Sequence, residues 1–534
     1  MEKITKELLK LRGIEREEDV LEFFSSKPKE TFSYKNLPDM EEGLDLILDE
    51  ISSNHKIMIY GDYDCDGITA TALIYEALSS IMNEENLSYY IPDRMLEGYS
   101  LNMEAIKKIK DMGYDSIITV DCGSTSKGEV DFCKSLGLKI LVTDHHNIKD
   151  VMADTLVINP KRPDSKYEFS DLSGCGVAFK VVQGLVDRGV IKHDVLTKVL
   201  DLVAIGTVGD IMPLLSENRT LVKFGLKVIE LGNRLGLVKL MECAMLDRKN
   251  INSYKVGFVI VPHLNASGRL YDASIAVKLL LTNDIDEAEK IASKLVLLNL
   301  ERKHLQEDAF LKGIEELGDT NDPFIFLRLD ESHEGILGIV AGKIKDKYYK
   351  PTVILKKIDD KYLKGTGRSI PEIDMYSLFN KYQDLFLKFG GHTSACGFTI
   401  SEENLKILKD KILEDVKMMD QDIFRKKEKY DLEVRNTDLT LDLAKELTLF
   451  EPFGKENEIP KFKVSCKISD VIYMGQEGKH LKFITNNVEF ILFNKGDNYK
   501  REDLVGNTKN VIGEFNLKYY RGNEKLQFII DEIN

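Results

Sequence analysis

Short apolar runs alternate with amphipathic stretches along the first third of the chain, and this alternation is the strongest constraint on its fold. The apolar runs and the helical stretches between them are residues 56–60, 69–82, 87–91, 102–111, 116–120, 128–136, 139–143 and 155–158. Strands that alternate with helices form βαβ units, whose strands lie parallel in one sheet. The sequence therefore predicts an α/β fold built on a parallel sheet.

The rest of the chain changes its pattern three times. Residues 175–250 have the spacing of helices, and residues 284–317 that of one long helix that connects two lobes. A second, smaller α/β pattern begins near Asn321 and includes a charged helix over residues 402–429. From Lys461 onward, short strands are divided by Gly and Asn turns, which predicts a small all-β barrel or sandwich.

The composition is that of a large folded protein without a disulfide framework. Of the 534 residues, 43% are hydrophobic, which is enough for large cores. The seven cysteines are scattered and form no C-x-x-C pair, which favours a reducing cytosol over secretion or a zinc finger. Because the charged N-terminus has no apolar signal segment and no long apolar stretch follows, we expect a cytoplasmic protein without a membrane span.

The net charge of −15 argues against a protein that simply coats duplex DNA. Most of the acidic excess is typical of a solvated surface, and part of it can be carboxylates that cluster around cations. A path for nucleic acid must then come from local Lys and Arg side chains rather than from the overall charge.

Three aspartates, Asp62, Asp64 and Asp66, follow the first apolar run, and Gly67 then begins a helix. Carboxylates this close repel one another unless cations lie between them, and oxygen-rich clusters select Mg²⁺ or Mn²⁺. Ligands of open α/β sheets bind at this end of the strands. One alternative is a solvent-exposed Asp-Gly turn. The other, a calcium loop, is excluded because its twelfth position is Leu73 instead of Glu.

Polar side chains also end three later apolar segments. Asp121 follows residues 116–120, and Asp144, His145 and His146 follow residues 139–143. Adjacent histidines on an extended chain point in opposite directions, so one can ligate a metal while the other faces the substrate. A single histidine is more often structural, but this triplet at a strand end favours function.

Asp210 interrupts an apolar helix, where a charge must be paired or coordinated. Together the four segments supply six oxygen and nitrogen ligands, which suit two divalent ions that share a carboxylate and hydrolyse a phosphodiester. The sequence contains neither a phosphate-binding P-loop nor a G-x-S-x-G nucleophile motif. The six predicted ligands are Asp62, Asp64, Asp66, Asp121, His145 and Asp210.

These motifs resemble those of the DHH phosphoesterase superfamily, and within it the RecJ-type single-strand-specific DNA exonucleases. The resemblance extends over essentially the whole chain, in the order of the family. It rests on GDYDCDG (61–67), IPDRMLEGYSLN (91–102), VDCG (120–123), TDHH (143–146), INP (158–160), GTVGDIMPL (206–214), LNASGRL (264–270), HEGILGIVAGKI (333–344), GTGRS (365–369), KFGGHTSACG (388–397) and EPFGKENEIPKF (451–462).

The resemblance implies a division of the chain into four parts. Residues 1–283 would hold N-terminal helices and the parallel-sheet DHH catalytic domain, and residues 284–317 the connector helix. Residues 318–429 would form the smaller α/β DHHA1 substrate-binding domain, and residues 430–534 an all-β OB-fold barrel that binds nucleic acid.

The resemblance also implies roles for single residues. Asp64 and Asp66 would each bind one metal with Asp62 nearby, Asp121 would bridge the two metals, and His145 and Asp210 would bind the second. Asp121, His145 and His146 would be catalytic, with His146 at the scissile phosphate. The residues implied for DNA or nucleotide binding are Asn265, Arg269, Arg368, Ser369, Gly390, Gly391 and His392, with Tyr519, Tyr520 and Arg521 for base stacking.

Three features of the sequence allow a different interpretation. The glycine pair Gly390-Gly391 is also typical of a tight turn, and Tyr60 stands where some relatives carry a ligating histidine. At least half of the aromatic residues in the C-terminal barrel are expected to be core residues.

The function implied is a 5′-to-3′ exonuclease of single-stranded DNA in repair and recombination. It would use Mn²⁺ or Mg²⁺, release mononucleotides, act as a monomer, and have a helicase and a single-strand-binding protein as partners. Two alternatives remain open: a DHH phosphodiesterase of small nucleotides or short oligoribonucleotides, and a non-catalytic scaffold that binds DNA. The C-terminal barrel argues against the first and the full ligand set against the second.

Overall fold

The computed structural model of the chain describes residues 1–148, 151–318, 320–485, 488–520 and 523–533. It contains three β-sheets, and one long helix lies between the first sheet and the second.

The first sheet has five parallel strands in the order β2-β1-β3-β4-β5, as the alternating pattern predicts. Every residue of β1 and β3 is buried, because helices cover both faces of the sheet. Gly61, Val120 and Thr143 lie side by side, so three strands end at the same level. The elements are α1 (Lys3–Leu11), α2 (Glu17–Phe24), α3 (Met40–Ser52), β1 (Ile57–Gly61), α4 (Cys65–Ser79), β2 (Leu87–Tyr90), α5 (Met103–Asp111), β3 (Ser116–Val120), α6 (Lys127–Ser135), β4 (Lys139–Thr143) and β5 (Leu156–Ile158).

A helical layer completes this part of the chain. Its helices are α7 (Gly174–Asp187), α8 (Asp194–Lys198), α9 (Leu200–Gly209), α10 (Ser216–Leu231), α11 (Leu235–Cys243), α12 (Ser253–Lys255), α13 (Val261–Leu270) and α14 (Ser274–Leu281). A π-helical turn, Val256–Ile260, joins α12 to α13. The apolar helix that Asp210 is predicted to interrupt ends directly before it: α9 ends at Gly209, Asp210 is its C-cap, and Ile211 turns the chain with a φ of 56°.

The long helix α15 (Ile285–Leu317) has 33 residues, as its periodicity predicts, and is about 50 Å long. Ala288, Ala292 and Leu295 in its first half are buried in the core of the first sheet. Ala309 in its second half is buried with residues of the second sheet. The helix therefore shares a core with each of the two lobes that it connects.

The second sheet has the order β6-β7-β8-β10-β9, with β6 and β7 parallel and the other pairs antiparallel. Its elements are β6 (Ile325–Arg328), α16 (Glu334–Tyr348), β7 (Thr352–Lys357), β8 (Tyr362–Arg368), α17 (Met375–Asn380), β9 (Phe386–His392), β10 (Ala395–Ser401) and α18 (Glu402–Lys417). The charged helix expected to reach residue 429 ends at Lys417. Asp420 then caps a separate 3₁₀ turn, Gln421–Phe424.

The third sheet has seven strands in the order β11-β12-β16-β17-β15-β14-β13. Two strand pairs are parallel, so the sheet is mixed. The elements are β11 (Leu432–Arg435), α19 (Leu441–Thr448), β12 (Lys461–Lys467), β13 (Asp470–Met474), β14 (His480–Ile484), β15 (Glu489–Leu492), α20 (Arg501–Leu504), β16 (Thr508–Tyr520) and β17 (Asn523–Ile533).

The first two helices pack with the third sheet rather than with the first. Leu8, Leu9 and Phe23 are buried in one core with Phe450 and Phe462. Residues 1–24 and the C-terminal sheet therefore form one packing unit. The expected division placed these residues in the first part of the chain, residues 1–283.

No helix in the described part of the chain is both long and apolar enough to cross a membrane.

Candidate metal centre

The side chains of the candidate site come from loops at one edge of the first sheet. Because Gly61, Val120 and Thr143 are neighbours in the register, the residues after them meet at that edge. Asp62 follows β1 and Asp121 follows β3, and the carboxylates of both are buried. Parallel strand ends thus bring together side chains that are far apart in sequence.

The loop after β1 is fixed by hydrogen bonds to its aspartates. Asp64 caps α4, and its Oδ1 accepts from the backbone N–H groups of Asp66, at 2.9 Å, and Gly67, at 3.2 Å. The carboxylate of Asp66 accepts from the N–H groups of Gly174, at 2.6 Å, and Cys175, at 2.9 Å. These two groups begin α7, so the positive end of that helix faces Asp66.

His145 is the centre of the arrangement. Its Nε2 lies 3.1 Å from Asp121 Oδ1, 3.5 Å from Asp210 Oδ2 and 3.8 Å from Asp66 Oδ2. Burial, followed by the charge of His146, lowers the pKa of His145 to about 3. The imidazole is therefore neutral at pH 7, which is the form that ligates metals.

The ligand atoms form overlapping groups that are linked through Asp121 and His145. Asp66, His145 and Asp210 form one group, and Asp62, Asp64 and Asp121 form another; within each, the ligand atoms lie within 4.8 Å of one another. Asp121 also groups with His145 and His146. Its φ of 64° places it in the left-handed region, which aspartate tolerates better than most residues.

The electrostatics of this cluster fit a cation. Burial raises the pKa of Asp62, Asp66 and Asp121 well above the usual range, and neighbouring carboxylates raise it further. Burial and the charge of Asp64 raise the pKa of Asp210 to about 7. Among the described residues, buried Asp62 Oδ1, Asp121 Oδ1 and His145 Nε2 have no hydrogen-bond partner. Divalent cations would satisfy these atoms and offset the repulsion.

Asp144 is not one of the predicted metal ligands, and its carboxylate bonds to His146 and to the backbone. Its Oδ1 lies 2.7 Å from His146 Nδ1, and its Oδ2 accepts from the N–H of Ser124 at 2.9 Å. Burial lowers the pKa of His146, but the hydrogen bond and the charge of Asp144 outweigh it and raise this pKa to about 9. His146 is thus a cation at pH 7, and its side chain is 32% exposed.

The two histidines do not point in opposite directions, and the prediction that they would is wrong. Their ring centroids are 4.5 Å apart, and Asp121 Oδ1 is 3.1 Å from one and 4.0 Å from the other. The reason is that β4 ends at Thr143, so the alternation of an extended strand does not continue through the triplet.

Comparisons with known proteins agree with this fold. Three family models match: the DHH family, N-terminal domain, over residues 56–207, the DHHA1 domain over residues 321–418, and the RecJ OB domain over residues 430–532. The chain is 33% identical to the single-stranded-DNA-specific exonuclease RecJ of Bacillus subtilis, over 98% of this chain and 67% of that protein. It is 31% identical to the Escherichia coli protein of the same name, over 94% of this chain and 91% of that protein.

The chain belongs to the RecJ family. Among solved structures, RecJ from Thermus thermophilus in complex with Mn²⁺ matches with a TM-score of 0.86 and 27% identity, over 99% of this chain and 75% of that one. The same protein in complex with Mg²⁺ matches with a TM-score of 0.79. These findings confirm the predicted resemblance and the three-part fold.

Some residues implied by the RecJ resemblance have structural contacts of their own. Asn265 Oδ1 accepts from the N–H of Cys65 at 2.8 Å, so it holds the aspartate loop. The hydroxyl of Ser369 is buried and donates to the carbonyl of Ile373 at 2.8 Å. The hydroxyl of Tyr60 donates to the carbonyl of Ser100 at 3.1 Å and accepts from Asn102 Nδ2 at 3.1 Å, so two protein groups occupy it.

The glycine pair of the second lobe lies in a strand and not in a tight turn. Gly390, Gly391 and His392 end β9, an edge strand, where Gly391 pairs with Cys396. A Cβ on Gly391 would lie 2.4 Å from the carbonyl oxygen of Ala395, so only glycine fits there.

The aromatic residues of the third sheet include buried and exposed side chains. Phe483 and Phe515 are buried in its core, whereas Tyr473 and Phe493 are 41% and 46% exposed. Arg521 and the side chains of Tyr519 and Tyr520 lie outside the described part of the chain.

Four arginines gather near the metal centre, of which only Arg269 and Arg368 are expected from the RecJ resemblance. Burial, followed by the charge of Arg94 and then Arg302, lowers the pKa of Arg269 to about 10. Arg94 lies over the ring of Tyr63, 4.9 Å from its centroid, next to the aspartate loop. A set of cations that destabilise one another is suited to bind an anion such as a phosphate. Arg94 could have been identified from its place in the motif IPDRMLEGYSLN (91–102), whereas no sequence motif points to Arg302.

Proposed function

We propose that the chain is a metal-dependent exonuclease that degrades single-stranded DNA from its 5′ end to mononucleotides. The observation that carries the proposal is that one ligand group, which contains Asp121, lies directly beside a second, which contains His145, with Asp121 Oδ1 3.1 Å from His145 Nε2. Membership of the RecJ family supports it, since the curated relatives are named single-stranded-DNA-specific exonucleases. The polarity and the mononucleotide product rest on the resemblance alone.

Two divalent ions, Mn²⁺ or Mg²⁺, would be held by the six predicted ligands, with Asp121 between them. Bound there, they would supply an activated water and stabilise the charge on the leaving oxygen. On this proposal, Asp66, His145 and Asp210 hold one ion. Asp62 and Asp64 hold the other, and the N-terminus of α7 keeps Asp66 in place.

The remaining residues of the site would act on the substrate. His146, kept protonated by Asp144, places a positive charge and an N–H donor at the scissile phosphate. Arg94, Arg269 and Arg368 bind phosphate groups of the strand. The third sheet would hold the strand farther from the reacting end, as OB folds do. The domain limits at residues 283, 317 and 429 belong to this proposal, with residues 1–24 joined to the last domain.

A digestion experiment tests the proposal against its alternatives. A 5′-labelled single strand, a matched blunt duplex and a linear dinucleotide are each incubated with Mn²⁺ or with EDTA. We expect labelled mononucleotide from the single strand, with Mn²⁺ only, and no release by Asp121→Asn. Equal rates on the duplex would contradict the strand specificity, and a preference for the dinucleotide would favour the small-substrate alternative. Partners and monomeric state stay predictions of the resemblance, and cytoplasmic location stays a prediction of the composition.

A further inference from the structure

Two aromatic side chains that the mechanism does not use lie on the surface near the metal centre. Tyr254 is 63% exposed and Phe258 is 69% exposed. Their ring centroids are 4.5 Å apart, and the ring planes are inclined by 31°. Large apolar rings that remain together in water contribute little to the core and are typical of binding surfaces.

The ring pair belongs to the same helical stretch that supports the aspartate loop. The stretch runs from Ser253 to Leu270 through the π-helical turn, a feature that is frequent at functional sites. Asn265, which bonds to the loop, is seven residues after Phe258, or about 10 Å along the helix. Near the rings, a Cβ on Gly257 would lie 3.3 Å from Val208, so this end packs close to Asp210.

The rings also lie where the first lobe meets the segment that leads into the third sheet. The hydroxyl of Ser253, the neighbour of Tyr254, donates to the carbonyl of Phe453. Further along this segment, the carbonyl of Lys455 accepts from the N–H of Leu214 at 2.9 Å. On the proposed function, a strand that is held on the third sheet and cut at the metal centre passes from one of these units to the other, and the rings lie at one of their contacts.

Basic side chains accompany the rings. The backbone N–H of Lys249 donates to Asp247 Oδ1 at 3.0 Å, and Lys255, the neighbour of Tyr254, donates from its Nζ to the carbonyl of Asn250 at 2.7 Å. Exposed aromatic rings among lysines are the combination that binds single-stranded nucleic acid without sequence preference.

We propose that Tyr254 and Phe258 form a stacking platform for a base of the single strand, between the third sheet and the metal centre. This proposal rests on the proposed function. Two rings 4.5 Å apart leave no room for a base between them, so the base lies on the outer face of the pair. Since every base has a π face, the platform accepts any sequence and is selective for unpaired bases.

A tryptophan reporter tests the contact directly. The chain contains no tryptophan, so Phe258→Trp introduces a single one at the platform. In EDTA, which prevents hydrolysis, a fluorescein-labelled oligo(dT) reports binding by anisotropy, and an unlabelled one is titrated against the tryptophan fluorescence. We expect quenching by oligo(dT) with the same midpoint as the anisotropy, and none by an abasic strand of equal length that also binds. Binding without quenching, or equal quenching by both strands, would overturn the proposal.

A kinetic comparison separates this proposal from the proposed function. The double substitution Tyr254→Leu and Phe258→Leu keeps apolar side chains but removes the planar faces. We expect its KM for a long single strand to rise about five-fold or more, with kcat and melting temperature unchanged. Tyr254→Phe, and Leu311→Ala at a similarly exposed position on α15, should leave KM unchanged.

The outcomes of this comparison are distinct. If the wild-type chain does not digest single strands, the proposed function fails. If it does so and the double variant keeps its KM, only the stacking platform is contradicted, and the rings serve to dock some other molecule.

Discussion

The guanidinium of Arg219 donates a hydrogen bond to the carbonyl of Phe450 at 2.8 Å, across the boundary between the first lobe and the C-terminal unit. The same side chain donates to Glu451 at 2.8 Å and to Phe23 at 3.1 Å, and it lies over the ring of Phe23. Arg219 is only 5% exposed, and this one buried cation donates to five carbonyls, since those of Leu449 and Pro452 also lie within hydrogen-bond distance.

Arg219→Met should therefore destabilise the protein by about 3 kcal/mol or more, since it removes the donor to the carbonyls of Phe23 and Glu451, while that of Phe450 keeps the side chain of Asn457. Urea unfolding measures the change. Arg328→Met is the matched control, because its exposed pairs with Asp330 and Glu402 are worth less than about 1 kcal/mol. An equal loss in both variants would show that Arg219 does not fasten the two units together.

The hydrogen bond between Asp144 and His146 should be visible in the titration of His146. In metal-free protein its pKa should be about 9 rather than near 6.5, and Asp144→Asn should bring it back toward 6.5. Because the folded-state pKa is raised, the stability that this pair contributes is complete below pH 6.5 and is lost as the pH rises through 9. NMR of ¹³C-labelled histidine in EDTA, assigned with His146→Gln, makes the measurement. A value near 6.5 in the wild type would contradict the assignment.

Gly174 marks the close approach of α7 to the metal centre. A Cβ at this position would lie 2.5 Å from Asp121 Oδ1, so Gly174→Ala must displace the shared carboxylate. We expect a loss of activity of at least about ten-fold, and weaker Mn²⁺ binding by calorimetry. Gly128→Ala, near the start of α6, is the control, since its Cβ would meet only Met103 at 3.9 Å. Unchanged Mn²⁺ affinity in Gly174→Ala would place Asp121 outside the metal site.

Arg94 should contribute to the affinity for the strand rather than to folding. We expect Arg94→Gln to raise KM for single-stranded DNA by about ten-fold, the value of one charge-assisted hydrogen bond to phosphate. Its melting temperature should stay near that of the wild type, because no hydrogen bond or ion pair between protein side chains is broken among the described contacts of Arg94. A lower melting temperature with unchanged KM would show that Arg94 serves the fold.

The sequence predicts the first sheet and the acidic residues at its edge for a physical reason. Buried parallel strands must be apolar along their length, so the first polar residue after each one marks the strand end. Asp62 and Asp121 are found in this way, and the register brings them together.

Other features depend on contacts that no local pattern contains. Leu8 and Leu9 pack with Phe450, more than 400 positions away, and nothing in the first helix identifies that partner. The convergence of His145 and His146 follows from the irregular chain after Thr143, which the two-residue period of a strand does not describe. The bond of Ser369 to Ile373 depends on the turn after β8, and the motif GTGRS gives no sign of it.

In the proposed function, four distant segments of chain hold two divalent ions with Asp121 between them. Anomalous diffraction at the manganese edge, from crystals grown with Mn²⁺, tests it most directly. We predict two anomalous peaks about 3.5–4 Å apart, one on the side of Asp66, His145 and Asp210 and the other on the side of Asp62 and Asp64. The absence of peaks beside Asp121, or two peaks that do not share its carboxylate, would contradict the account.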